Sequence, residues 1–120
     1  MKRNIKSQRQ LRIGEQIKHL ISEVIILGDF TNPKLRDVPI TVTEVSLSPD
    51  LKNANAYVVF RNGNNIIKHL NQESFIFRKQ IAQKLKLRYI PKINFYLDKT
   101  FDYADKIQKL LKDPKVAKDL

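Results

Sequence analysis

Ile40-Thr41-Val42-Thr43-Glu44-Val45-Ser46-Leu47-Ser48, then Pro49-Asp50-Leu51-Lys52-Asn53, then Ala54-Asn55-Ala56-Tyr57-Val58-Val59-Phe60-Arg61, is the stretch on which the fold turns. The first segment is rich in β-branched residues. The second is turn chemistry, and in the third Ala54, Ala56, Val58 and Phe60 alternate with more polar neighbours, so the whole predicts a β-hairpin. Along the first strand Val42, Val45 and Leu47 change parity around Glu44, which predicts a bulge or a twist there.

Upstream, Ile13, Ile17, Leu20, Ile21 and Val24 recur at spacings of three and four, the stripe of an amphipathic helix from Gln8 to Leu27, and Gly28-Asp29 supplies a stop. Gly14 costs such a helix about 1 kcal/mol relative to Ala, so either the helix packs tightly there or it begins nearer Glu15. Thr31-Asn32-Pro33 and Val38-Pro39 punctuate a loop. Downstream, Asn62-Gly63-Asn64-Asn65 closes the second strand and opens a helix over Ile66, Ile67 and Leu70. The polar Asn71-Gln72-Glu73-Ser74 interrupts it. It resumes through Phe77, Ile81 and Leu85 and ends before Pro91, because helical geometry is disfavoured ahead of proline. Lys92 to Asp98 alternates as a third strand, and Thr100 to Leu111 predicts a last short helix stopped by Pro114. Two helical units on one face of a three-stranded sheet make a small α+β sandwich.

Size and charge narrow the function. With 120 residues and 42% apolar content the chain builds one core and not two, so residues 1–120 are expected to form a single domain. There is no Cys, and two His lie 50 positions apart, which argues against disulfide, thiolate and metal chemistry. The longest apolar run, Val24 to Leu27, is too short for a secretory signal or a membrane span, so a cytoplasmic protein with no membrane partner is expected. The net charge of +11 sits in two places: residues 1–20 carry +5, residues 78–92 carry +6, and the rest balances to zero. Positive charge gathered this way attracts polyphosphate, so a nucleic acid is the expected partner.

The chemistry-bearing motifs of enzymes are absent from this reading. Gly14, Gly28 and Gly63 are too dispersed to cradle a phosphate. Glu15, Glu23 and Glu73 fall at apparent helix positions suited to solvated or capping roles, and His19 and His69 flank apolar stripes as surface imidazoles. No catalytic residue, metal or cofactor is expected. For nucleic acid, a helix continuing to Pro91 would set Arg78, Lys79 and Lys86 on one side around Ala82, with Lys84 and Arg88 flanking the apolar stripe. Tyr89 suits a buried position better than a base-stacking one.

Several strings in this order and spacing resemble the ribosome-binding factor A family: Ser7 to Ile17, Ile40 to Ala54, and Leu85-Lys86-Leu87-Arg88-Tyr89-Ile90-Pro91 before Ile93-Asn94-Phe95-Tyr96-Leu97-Asp98. The likeness spans nearly the whole chain and extends to Asp105-Lys106-Ile107 and Pro114-Lys115-Val116-Ala117. It implies a KH-like domain of the type II topology, α-β-β-α(kink)α-β with a short C-terminal helix, residues 1–7 as a flexible basic arm and 113–120 as a tail. The family's Ala-x-Gly at the interhelical kink falls on Glu73, Ser74 and Phe75, which depart from it, and the Gly-x-x-Gly of ordinary KH domains is missing. The resemblance further implies a non-catalytic, monomeric assembly factor that binds the small (30S) ribosomal subunit and 16S rRNA, with free or precursor subunits preferred. Its role would be late maturation, including 5′-end processing of precursor 16S rRNA, and cold adaptation. Within this reading the rRNA phosphates are neutralised by Arg3, Lys6, Arg9 and Arg12 of the first patch and by Arg78, Lys79, Lys84, Lys86, Arg88 and Lys92 of the second. The alternative is a basic adaptor for an acidic protein.

Overall fold

The computed structural model describes residues 6–100. The expected helix from Thr100 to Leu111 beyond its first residue, the tail 113–120 and most of the basic arm, Arg3 included, lie outside the described residues. Within them the order is α1 (Gln8–Leu27), β1 (Ile40–Leu47), β2 (Asn53–Phe60), α2 (Ile66–Gln72), α3 (Ser74–Lys84) and β3 (Lys92–Leu97). This is the α+β arrangement that the alternation and spacing predict.

Helix α1 starts on a capping box: the Ser7 hydroxyl accepts from the Gln10 amide, and the Gln10 side chain accepts from Ser7 N–H. It ends at Gly28, whose φ of 65° is left-handed and whose N–H closes on the carbonyls of Val24 and Ile25. The predicted stripe is buried, with Ile17 and Ile21 at 0% and 1% exposure. Gly14 decides how closely this face seats. A Cβ there would lie 3.0 Å from the Val45 carbonyl oxygen, so the backbones of α1 and β1 approach without room for a side chain. Of the two explanations for Gly14, tight packing is the observed one.

The sheet has the order β1-β2-β3, with β1 antiparallel and β3 parallel to β2. The register shifts between Val42 and Glu44, which is the bulge the parity change predicts. A parallel pair needs a long crossover, and α2 with α3 provide it. Ala54, Ala56 and Val58 of β2 are fully buried but small, and much of the volume beside them comes from Phe77 and Phe95, whose rings sit 4.9 Å apart, with Phe30 5.9 Å from Phe77. At the outer edge of β3, Asn71 accepts from Phe95 N–H at 2.8 Å and donates to Phe95 C=O at 3.2 Å.

Three sequence expectations change. Helix α3 stops at Lys84 and does not run on toward Pro91: Leu85 is extended (φ −118°, ψ 138°), and Leu85 and Leu87 turn inward while Lys86 and Arg88 face solvent. A period of two satisfies the alternating Leu-Lys-Leu-Arg run better than a helical turn does. Glu73, expected to be solvated or capping, does hold the cap position between α2 and α3 but is not solvated: it is 3% exposed, and its carboxylate accepts from Thr31 Oγ1 at 2.6 Å and Asn32 N at 2.7 Å instead of capping either helix. With φ at −99° the break needs no glycine, which explains how the chain keeps a kink without the family's small residues. His69 is likewise no surface imidazole: it is half-buried, with Nδ1 3.0 Å from Asn32 Nδ2. Also, Pro33–Leu35 forms a 3₁₀ turn inside what reads as loop, capped by the Asn32 side chain.

Replacing Gly14 by Val adds three carbons, a Cβ and two methyl groups, against strand backbone, and overpacking of this kind costs about 1–3 kcal/mol. Urea unfolding of Gly14→Val is expected to show a loss in that range despite the removal of a helix-interior glycine.

Candidate nucleic-acid interface

The fold brings the two charged stretches together. Because α1 lies against β1, its first turns face the extended segment that follows α3, and Arg9 and Arg12 line an open groove of about 380 Å³ together with Lys84 and Lys86. Each of these four side chains is exposed. A smaller pocket of about 140 Å³ adjoins it, sharing Arg9, Ile13 and Leu87. Its apolar floor is Ile13, Leu51, Leu87 and Pro91. Its polar rim is Arg9, Asp50, Arg88 and Tyr89. Among the described residues the ion pair within 4 Å is His19 with Glu23 at 2.9 Å, so the cations of this groove have no carboxylate partner there. A cationic trough of this sort suits phosphodiester oxygens, which Arg and Lys neutralise as they displace counterions.

The remaining expected contacts divide by geometry. Lys6 Nζ donates to the Leu47 carbonyl at 2.6 Å, next to Gln10 Nε2 at 3.1 Å on the same oxygen, so it helps to fasten the start of α1 to the end of β1. Arg78 donates from Nε to Pro91 O at 3.2 Å and from Nη2 to Ile90 O at 3.3 Å, tying α3 to the segment that leads into β3. Its guanidinium holds the groove's wall more than it faces a ligand. Lys79 and Lys92 are exposed on α3 and β3 but line neither cavity. Phe75, two residues beyond the kink, is 57% exposed.

Tyr89 overturns its expected burial. It is 55% exposed, with the Arg88 guanidinium 5.5 Å and the Lys52 ammonium 5.7 Å from the ring centre. The in-and-out alternation of 85–88 on its own would turn Tyr89 inward; a bend at Arg88 and Tyr89 breaks it and leaves the ring at the rim. Asp50 and Lys52 read only as turn residues. Nothing in the spacing indicated that the hairpin turn would close one wall of the pocket. That turn is tightly determined. Asp50 Oδ1 accepts from Ser48 Oγ at 2.6 Å and Lys52 N at 3.0 Å, Ser48 Oγ accepts from Asn53 N at 3.0 Å, and Leu51, at φ 62°, donates to Ser48 O at 2.9 Å. The Ser48 hydroxyl first, and the Lys52 N–H second, hold the Asp50 carboxyl below the usual carboxylate range.

Comparison with known proteins agrees with the sequence resemblance. The family model described as ribosome-binding factor A matches residues 9–111. A ribosome-binding factor A from Beijerinckia indica is 42% identical over 117 residues, covering 95% of this chain and 83% of that protein. A Thermotoga maritima protein solved in solution superposes with a TM-score of 0.63 at 28% identity, over 78% of this chain and 91% of that one. A Thermus thermophilus ribosome-binding factor A, fitted as a homology model into a cryo-EM map of its 30S complex, shares the fold at a TM-score of 0.59 and 22% identity, over 72% and 91% of the two chains.

Two outcomes follow from this geometry. Exchanging Lys84, Lys86 and Arg88 for Ala is expected to shift the unfolding free energy by under about 0.5 kcal/mol, as exposed positions usually do, whereas Arg78→Ala loses two charge-assisted bonds and is expected to cost roughly 1 kcal/mol; urea denaturation distinguishes them. For Asp50 the lowered folded-state pKa means that its stabilisation is complete above the ordinary carboxylate range and is lost as pH falls through the folded value. The stability difference between the wild type and Asp50→Asn is therefore expected to be constant near neutrality and to fade in acid, in denaturant titrations across pH.

Proposed function

This chain belongs to the ribosome-binding factor A family, and from that premise we propose that it binds the small ribosomal subunit by laying the groove between α1 and residues 84–91 along 16S rRNA. Arg9, Arg12, Lys84, Lys86 and Arg88 neutralise phosphates. Arg3, Lys79 and Lys92 add longer-range attraction, and Lys6 and Arg78 hold the groove in shape. The observation that carries the reading is the convergence of two stretches, some 70 positions apart in sequence, on one cationic trough. The Thermus thermophilus relative, placed in a map of a 30S complex, supports the choice of subunit.

The protein acts in this reading as a monomeric, non-catalytic, cytoplasmic factor. It needs no cofactor, and among the described residues no three His, Asp or Glu side chains gather as a metal site would require. Its contribution to late maturation, to 5′-end processing of precursor 16S rRNA and to growth in the cold is a population effect. A factor with higher affinity for a precursor conformation than for the mature one shifts the subunit toward the former until processing removes the difference, and then leaves.

Contacts with five to eight phosphates give a log–log dependence of affinity on salt with slope roughly −4 to −7. Cosedimentation with mature and precursor subunits over a salt series is expected to show that slope, with tighter binding to precursors. A flat profile, or capture that survives nuclease treatment of the subunit, would instead identify an acidic protein as the partner.

A further inference from the structure

The groove explains attraction to phosphate but leaves the adjoining pocket unused, and the pocket has the wrong chemistry for phosphate. Its lining includes Asp50 as well as Arg9 and Arg88, and a carboxylate there weakens the hold on any anion. The turn uses only Oδ1 of that carboxylate, for the bonds from Ser48 Oγ and Lys52 N, and leaves Oδ2 for another donor. The same lining holds the exposed ring of Tyr89 and the apolar side chains of Ile13, Leu51, Leu87 and Pro91. At about 140 Å³ the space is far smaller than the roughly 300–1,000 Å³ of drug-sized ligand sites. It matches a single flat heterocycle.

We propose that this pocket takes one unpaired guanine of the bound RNA, with the base against Tyr89, its Watson–Crick N–H groups on the Asp50 carboxylate, and the flanking phosphates on Arg9 and Arg88. The proposal rests on the reading of the groove as an rRNA interface and adds a sequence preference to it. Unpaired bases are held in this way, stacked on an aromatic side chain and hydrogen-bonded at the edge. Among the four bases guanine alone sets two N–H donors, N1–H and the N2 amino group, side by side on that edge. Uracil flanks its one donor with two carbonyls that repel a carboxylate. The backbone is built to keep the acceptor still: Leu51 holds a left-handed φ of 62° that a branched aliphatic residue rarely adopts, and the bonds from Asp50, Ser48 and Asn53 around it hold the turn in place. The nearby Lys52 and Arg88 cations, 5.7 Å and 5.5 Å from the Tyr89 ring, move from the ring to the RNA backbone as the base arrives.

The test uses the full chain and fluorescein-labelled single-stranded RNA heptamers of uridine with one central guanosine, inosine, adenosine or uridine, followed by fluorescence anisotropy at one fixed salt concentration. The guanosine heptamer is expected to bind roughly tenfold more tightly than the uridine one, the size of one well-made base-edge contact, and inosine, which lacks the N2 amino group, to fall between them. Asp50→Asn keeps an oxygen for the Ser48 and Lys52 bonds and is expected to fold. It should abolish the guanosine preference and, by removing a negative charge from the rim, leave the uridine heptamer bound no more weakly than by the wild type. Tyr89→Leu should weaken every heptamer that has a base in the pocket, guanosine most. Equal affinity of the wild type for guanosine and uridine, or a preference that survives Asp50→Asn, overturns the pocket. Loss of the salt-dependent subunit binding described above would overturn the groove instead, and the two results are read separately.

Discussion

The contact on which the rest depends is the approach of two backbones, α1 at Gly14 and β1 at Val45, with no side chain between them. It sets the height of α1 over the sheet. From that height the stripe of Ile13, Ile17, Leu20, Ile21 and Val24 reaches the core, and Gln10 and Lys6 reach the same carbonyl at the end of β1. The basic face of α1 is then brought to the segment after α3, from which it is separated by most of the chain. A side chain at residue 14 would raise the helix and shift Arg9 and Arg12 relative to Lys84 and Lys86 across the trough.

The core and the interface make different demands on the same residues. Burial of aromatic and aliphatic side chains supplies most of the stability of such a sandwich, at about 1.5–3 kcal/mol for each large side chain taken fully out of water. Phe77, Phe95, Ile81 and Leu70 serve that purpose alone. The residues at the groove are mixed in purpose. Lys6 and Arg78 carry charge yet bond to backbone carbonyls, and Leu51 and Leu87 are apolar yet form the floor of an open pocket. A mutational survey that scored only charge would therefore credit Arg78 with a contact it makes to its own chain.

Much of the fold was legible because its signals are local. The period of α1, its glycine stop, the turn after Leu47, the alternation of β2 and even the bulge near Glu44 follow from a few neighbouring residues, and each was found where expected. What was misread depended on partners distant in sequence. Glu73 and His69 looked like surface groups because Thr31 and Asn32, some 40 residues away, are invisible to local pattern. The end of α3 was placed too late because Pro91 was given more weight than the alternation of Leu85 to Arg88. Lys86 and Arg88, both expected contacts, then fell on a helix and not on an extended segment, and Tyr89 was assigned to the core on general burial grounds. The charge totals of the two stretches were legible, but not that they share a single trough, nor that a hairpin turn would lend it an acid.

Asn71 has a consequence outside RNA recognition. A sheet of three strands has two outer margins, and an open margin is a template on which a stray strand from another molecule can lengthen the sheet, the first step of aggregation. On the β3 side the Asn71 amide occupies Phe95 as a neighbouring peptide would. On the β1 side Pro39 precedes the strand and the bulge at Thr43 breaks the regular ladder. An intruding chain meets a stopped edge on one side and an irregular one on the other, which keeps the sheet from becoming a nucleus for fibres.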